Sequence, residues 1–132
     1  MVHVVLSMIV CIGFLAGLSV AADKPQSAGK INEQQLAGRW LRPDGGYVLE
    51  LKGIGKDGTL KASYFNPRPI NVAEAKYNRK DGRLTIFVEL RDVNYPGSKY
   101  NLLYDPKTDR LIGTYFQAVQ GETYNVSFVR IK

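Results

Sequence analysis

The sequence predicts an all-β domain, an eight-stranded antiparallel up-and-down meander that closes into a small barrel. Segments rich in Val, Ile, Leu, Tyr and Phe recur at intervals of about ten residues, and Gly, Pro, Asn or Asp separates them. Within several segments apolar and polar residues alternate, which places one face of each strand against a core. Because an open antiparallel sheet leaves unpaired edges, the pattern favours closure into a barrel.

We expect eight strands, each ended by a turn signal. They span residues 38–42, 46–52, 59–66, 70–77, 83–91, 99–105, 110–118 and 122–131. The alternation is clearest in the fifth strand, where Leu84, Ile86, Val88 and Leu90 share one face. A barrel of this size has room inside for packed side chains or for one small ligand.

The amino-terminal segment predicts export. The first 22 residues contain no Lys, Arg, Asp or Glu and end in the small residues Val20-Ala21-Ala22. This pattern is typical of a signal peptide over residues 1–22 that is cleaved after Ala22. An uncleaved membrane anchor is the alternative, because the apolar run approaches the ~20 residues of a membrane span.

Cleavage would leave an exported protein, periplasmic or secreted, with no stable membrane insertion. Residues 23–37 are mostly polar, contain Pro and Gly, and predict an amino-terminal tether. Residues 38–132 form the predicted barrel domain, a length suited to a single domain.

The composition argues against an enzyme, a cofactor or a metal site. The only histidine, His3, and the only cysteine, Cys11, lie in the predicted signal peptide. The remaining chain therefore lacks a disulfide, a thiol nucleophile, the most usual general base and the commonest transition-metal ligand. Asp105 and Asp109 predict a hairpin turn, because a calcium loop needs more oxygen ligands at regular spacing.

The net charge is +6, but the basic residues are scattered along the chain. The densest group is "KYNRKDGR", residues 76–83, and an aspartate interrupts it. We interpret this segment as a hairpin tip kept soluble by its charge, and we expect no nucleic-acid partner. Contact with an anionic lipid, a glycan or peptidoglycan is the alternative interpretation.

A short motif at the start of the first predicted strand resembles a known family. Gly38-Arg39-Trp40 resembles the G-x-W element that opens lipocalin-type and avidin-type barrels. In the lipocalin pattern a basic residue near the end of the last strand packs across the Trp, and Arg130 stands in the corresponding place. The resemblance implies a structural role for Gly38, Trp40 and Arg130, with Trp40 plugging the closed end of the barrel.

Two further segments resemble the avidin-like branch. "DGTLKASY", residues 57–64, is similar to its second hairpin, and "RLIGTYFQA", residues 110–118, to a later strand. The resemblance places Tyr64 at the family tyrosine that helps hold the ureido oxygen of the ligand, with Asn66 where a small hydroxyl residue usually follows. Biotin itself is not expected, because Trp40 is the only tryptophan and biotin-binding members wall their ligand with several.

The eight tyrosines are the most distinctive feature of the composition. A phenol combines an apolar ring with a hydroxyl that seeks a partner, which suits a ligand cavity. We therefore take Tyr64, Asn66, Tyr104 and Tyr115 as the candidate ligand-binding residues. The alternative is that aromatic residues simply favour strands.

Together these features lead us to expect an exported, non-enzymatic binding protein that holds a small, partly apolar ligand in the barrel mouth. The alternative is a periplasmic or secreted inhibitor, or another protein-interaction factor, that acts through its loops. Its working residues would be the segment 23–33 and the loop 94–98, where Pro96-Gly97 predicts a type II turn.

Overall fold

The computed structural model describes residues 31–132, and most of these residues lie in nine antiparallel strands. The strands are β1 (Gly38–Arg42), β2 (Tyr47–Lys52), β3 (Lys61–Phe65), β4 (Pro69–Ile70), β5 (Val72–Lys80), β6 (Arg83–Asp92), β7 (Tyr95–Asp105), β8 (Arg110–Gln117) and β9 (Glu122–Ile131). The predicted all-β meander is confirmed, with nine strands in place of eight. The predicted signal peptide and the first part of the predicted tether lie outside the described residues.

Consecutive strands pair with each other except β4 and β5, and the two ends of the meander meet. The order in the sheet is β4-β3-β2-β1-β9-β8-β7-β6-β5, so the first strand lies beside the last. In that pairing Trp40 of β1 stands opposite Arg130 of β9. The sheet therefore curls into a barrel, as expected from the need to hide its edges.

The seam between β3 and β5 nearly closes the barrel. The fourth predicted strand is present as β4 and β5, which are separated only by Asn71. Before this residue the chain pairs with β3, and at Asn71 its carbonyl accepts a hydrogen bond from Arg91 N–H in β6 (3.0 Å). Further along, Thr59 forms a bridge with Lys76, and Tyr77 N–H donates to the Gly58 carbonyl (3.0 Å).

The interior of the barrel is filled by its own side chains. Most inward-facing positions on the long strands are apolar or aromatic and pack into one cluster, and Ser98 and Arg42 are the buried polar exceptions within residues 31–132. The largest fully buried members are Trp40, Tyr64, Tyr100, Phe128, Leu36, Leu49, Leu51, Leu84, Ile86, Leu90, Leu111 and Val88. A ligand could therefore be held inside the barrel only near one of its ends, because side chains fill the middle.

A short 3₁₀ helix, Glu33–Leu36, covers one end of the barrel. Asn32 caps its amino-terminal end, because the Asn32 side chain accepts a hydrogen bond from Gln34 N–H (2.9 Å). The helix buries Leu36 completely. Trp40 Nε1 donates to the Leu36 carbonyl (3.0 Å). Residues 31–37 of the predicted tether thus pack onto the barrel and close this end.

Arg130 fastens the closed end. Its guanidinium lies 4.2 Å from the centre of the Trp40 ring, which is the contact expected from the sequence. It also donates to the Asp109 carboxylate (2.8 and 3.0 Å) and to the Ala37 carbonyl (2.7 Å). One side chain therefore ties β9 to β1, to the β7–β8 turn and to the segment before β1.

The β6–β7 turn differs from the prediction. The predicted type II turn at Pro96-Gly97 is wrong, because the chain reverses at Val93-Asn94 instead. Asn94 adopts a φ of 68°, a left-handed conformation that asparagine tolerates. Pro96 and Gly97 lie inside β7, where the register shifts and Gly97 takes a φ of 99°.

The described part of the chain contains neither a membrane-spanning helix nor a cluster of metal ligands. Among residues 31–132 we find no helix with the length and apolarity needed to cross a bilayer. The same residues contain no cluster of three or more His, Cys, Asp or Glu side chains that could hold a metal ion.

Candidate ligand-binding site

The end of the barrel opposite Trp40 opens into a cavity of about 590 Å³, which we call the mouth. Its aromatic lining consists of Tyr47, Tyr64, Tyr95, Tyr115 and Tyr124. Polar groups complete it, among them the side chains Arg42, Arg68, Asn66, Asn94, Gln117 and Gln120. This combination of aromatic walls and a few polar groups is typical of small-molecule sites.

Two tyrosines form the floor of the mouth. The Tyr64 and Tyr100 hydroxyls lie 2.7 Å apart, and both side chains are almost completely buried. Burial raises the pKa of Tyr100 to about 12, and burial also raises the pKa of Tyr64. Both groups are therefore neutral phenols at physiological pH.

A buried arginine supports this floor. Arg42 Nη1 donates to the Tyr100 hydroxyl (3.0 Å), while Nε and Nη2 donate to the Asp44 carboxylate (2.7 and 2.9 Å). Burial alone would lower the pKa of Arg42, but its hydrogen bonds to Asp44 and Tyr100 outweigh this effect and the pKa is raised. The side chain stays charged and is held in one position.

The walls of the mouth are built around this guanidinium. It lies 4.7 Å from the ring centre of Tyr47 and 5.2 Å from that of Tyr115. Tyr115 stacks on Tyr100 at a centroid distance of 4.4 Å, and Tyr47 stacks on Tyr64 at 6.1 Å. The aromatic surfaces are thus fixed before any ligand arrives, which lowers the entropy lost on binding.

The rim is polar. Asn66 Nδ2 donates to the Tyr95 hydroxyl (2.5 Å), and Tyr124 donates its hydroxyl proton to Gln120 or Glu122 (2.8 and 2.7 Å). A ligand that reached the rim would meet amide and hydroxyl groups able both to donate and to accept hydrogen bonds.

Three of the four candidate residues from the sequence come together here. Tyr64, Asn66 and Tyr115 line the mouth, whereas Tyr104 lies at the closed end. Tyr104 packs edge-on against Trp40 at 6.1 Å and donates to Asp109 (3.0 Å). Tyr104 lies at the closed end because β7 runs from the mouth towards that end and Tyr104 comes after the midpoint of the strand.

Sequence reasoning missed several residues of the mouth and its floor, namely Arg42, Tyr47, Tyr95, Tyr100 and Tyr124. One signal could have found Arg42. The alternation in β1 places residues two apart on the same face, so Arg42 shares the inward face with Trp40.

No family model, curated protein or solved structure matches the chain. The lipocalin-type and avidin-type resemblance therefore stays a prediction from short motifs, and the functional inference depends on the mouth itself.

Proposed function

We propose that the protein is an exported, non-enzymatic binding protein that holds a small, partly apolar ligand in the barrel mouth. The observation that carries this proposal is the cavity of about 590 Å³ lined by five tyrosines. Its size falls within the usual range of ligand sites, about 300–1,000 Å³. Tyrosine rings offer apolar surface at a low cost in conformational entropy, and their hydroxyls give the ligand an orientation.

The charges of the mouth indicate what kind of ligand it suits. Arg42 is already neutralised by Asp44 and lies beneath the tyrosines, so it contributes to the floor and little to recognition. Arg68 is the other cation of the lining and is in no ion pair within residues 31–132, and the rest of the lining is dominated by phenols and amides. This supports a ligand with a flat apolar part and hydrogen-bonding groups at its edge.

The chemistry of the same groups supports a binding role over a catalytic one. The predicted mature chain has no His or Cys, and the buried phenols Tyr64 and Tyr100 have raised pKa values. A phenol that keeps its proton at neutral pH is a poor base and a poor nucleophile. These hydroxyls are better suited to fixing the shape of the floor through their hydrogen bonds to each other and to Arg42.

A thermal-shift screen of the chain from Asp23 against a metabolite library tests the proposal. A hit should raise the melting temperature, and Tyr47→Ala and Tyr124→Ala should each weaken its binding about tenfold or more. The matched control is Tyr104→Phe, which alters a tyrosine at the closed end and should bind as the wild type does. Equal loss in all three variants, or no hit from a broad library, would contradict a ligand site in the mouth.

One observation favours the second candidate, a protein-interaction factor that acts through its loops. Val93 and Val119 are 80% and 61% exposed, on the two loops β6–β7 and β8–β9 that flank the mouth. Exposed apolar residues at loop tips are common in protein recognition. If this candidate is right, the wild type inhibits a member of a panel of secreted proteases, and Val93→Asp with Val119→Asp abolishes the inhibition.

A further inference from the structure

The charge of the described residues is concentrated in the closed half of the barrel. We define this half by dividing each strand near its midpoint; it comprises residues 31–40, 50–61, 75–87, 101–113 and 127–132. It carries twelve Lys and Arg side chains against six Asp and Glu, whereas the mouth half carries four against five. The basic excess therefore belongs to one end of the molecule.

Two hairpin tips at that end present exposed cations. Lys80 and Arg83 flank the β5–β6 turn, Lys107 lies in the β7–β8 turn, and Arg110 follows that turn as the first residue of β8. None of these four makes an ion pair within residues 31–132. They are thus available to an external anion.

The neighbouring carboxylates cancel only part of this charge, because the four cations of the tips face two carboxylates, Asp81 and Asp105, that are in no ion pair within residues 31–132. Asp109 is held by Arg130, and Asp105 accepts hydrogen bonds from Lys107 N–H (3.0 Å) and the Thr108 hydroxyl (2.7 Å). Asp81, in the β5–β6 turn, is the exposed carboxylate between Lys80 and Arg83. The surface between the two tips stays basic.

An apolar crevice of about 580 Å³ lies between the same two tips. Its lining includes apolar residues, two cations and two carboxylates: Ile31, Leu103, Pro106, Ile112, Arg83, Lys107, Asp81 and Asp105. Ile112 is 44% exposed although it is a large aliphatic residue. Apolar residues beside cations are the combination that binds an anionic membrane interface, where headgroups pair with cations and apolar groups enter below them.

The chain enters the barrel at this end, through Ile31 beside the crevice. If residues 1–22 stay uncleaved as the membrane anchor given above as the alternative, that anchor precedes this end in the sequence. We propose that the closed end docks on an anionic lipid surface, with Arg83 and Lys107 at the headgroups and Ile112 against the interface. The mouth then points away from the membrane, so this surface is separate from the proposed ligand site.

Vesicle co-sedimentation of the chain from Asp23 tests the proposal without the apolar segment. This chain includes residues 31–132, which contain all the strands and the core described above. Binding should be strong on vesicles of equal phosphatidylglycerol and phosphatidylcholine, absent on phosphatidylcholine alone, and weaker as salt rises. One cation near such a surface contributes roughly a fivefold change in binding.

Two variants that remove the same charge from opposite ends locate the surface. Arg83→Gln/Lys107→Gln should weaken binding to the anionic vesicles about 30-fold, following from two such cations. Arg91→Gln/Lys99→Gln, in the mouth half, should bind the anionic vesicles within about threefold of the wild type. These two charges lie far from the docked surface, and salt screens their attraction to it. Circular dichroism melts identify any variant that fails to fold. Equal losses in both variants, or equal binding to the two vesicle types, would overturn the proposal.

Ile112→Ser distinguishes a membrane from a soluble polyanion. It should weaken binding to anionic vesicles several-fold, because apolar burial is lost, and leave binding to heparin unchanged. If the basic tips bind heparin as tightly as vesicles and Ile112→Ser affects neither, the partner is a soluble polyanion and the membrane proposal is wrong. Neither result bears on ligand binding in the mouth.

Discussion

At the scale of single residues, Trp40 is the clearest structural determinant. It is fully buried, donates to Leu36 and lies under the Arg130 guanidinium. We expect Trp40→Ala to lower the free energy of unfolding by ~3–5 kcal/mol, because large aromatic truncations leave a cavity. Urea unfolding measures this loss. A Trp40→Ala protein of normal stability that had lost ligand binding would show that this residue belongs to the site.

The Asp109–Arg130 pair should make stability depend on pH. The hydrogen bond from Arg130 holds the pKa of Asp109 below its ordinary value of 3.8. A carboxyl with a lowered native pKa stabilises the fold above its unfolded pKa, and this stabilisation is lost as pH falls through the native pKa. Asp109→Asn should therefore flatten the acid limb of the stability curve.

The control for this measurement is Asp81→Asn. Asp81 is exposed and makes no hydrogen bond or ion pair within the described residues, so its replacement removes no contact of the fold. The flattening by Asp109→Asn should be partial, since Asp57, Asp92 and Asp105 also have lowered pKa values through their own hydrogen bonds. Identical curves for the two variants would mean that the Arg130 contact contributes nothing to acid stability.

Contacts that follow from the order of the strands could be predicted, whereas contacts that depend on how particular side chains pack could not. The Trp40–Arg130 contact could be expected, because the first and last strands of a closed meander are neighbours. The inward direction of Arg42 follows from the alternation in β1, but its hydrogen bond to Tyr100, which lies 58 residues further along the chain, could not be predicted. Periodicity indicates which face of a strand a residue occupies, but not how far along the barrel axis it lies. For this reason Tyr104 was expected at the ligand site, although it lies against Trp40 at the closed end.

At the scale of elements, the sequence was informative about strands and less so about what interrupts them. Most predicted strands agree with the structure to within a few residues. The fourth was predicted as one strand because nothing local reveals that the chain changes partners at Asn71. The β6–β7 turn was misplaced because Pro-Gly is a strong turn signal, yet an Asn two residues before the proline also tolerates positive φ.

The packing of β7 against β8 depends on one glycine. A Cβ atom at Gly113 would lie 1.9 Å from the Asn101 carbonyl oxygen and 2.9 Å from the Leu102 Cα, and neither backbone atom can move alone. Gly113→Ala should therefore lower the unfolding free energy by at least ~3 kcal/mol, at the upper end of the range for overpacked sites. Denaturant unfolding measures it.

Gly121→Ala provides the comparison for this effect. Gly121 has a φ of 68°, and a Cβ atom added there would have no neighbour within 4 Å. The only cost of alanine at this position is therefore that of the left-handed conformation, ~1–2 kcal/mol. Amide chemical shifts on β7 should change for Gly113→Ala alone. If the two substitutions destabilise equally and leave β7 unperturbed, the close approach of the two strands is not the constraint described here.

At the scale of the whole molecule, the barrel has two chemically different ends. The closed end combines the 3₁₀ helix, Trp40 and Arg130 with the basic excess, while the mouth half combines tyrosines and amides with almost balanced charge. Because the interior between them is filled, the two ends are separated by packed side chains. Events at one end would reach the other only through the strands, so the two proposals can be tested independently.

The same architecture predicts where the barrel opens first. Along the seam, β3 pairs with β4 through Phe65–Pro69 and Tyr64–Ile70 near the mouth. Near the closed end, Thr59, which precedes β3, forms a bridge with Lys76 of β5. Between these contacts residues 61–63 and 72–75 are paired only on their other sides, whereas β6 and β7 are paired along almost their whole length. Amides that face the seam should therefore exchange with solvent through local opening, and those between β6 and β7 only through global unfolding. Hydrogen exchange followed by NMR across a urea series measures both free energies. Uniform, global protection around the ring would show that the barrel is closed as firmly at the seam as elsewhere.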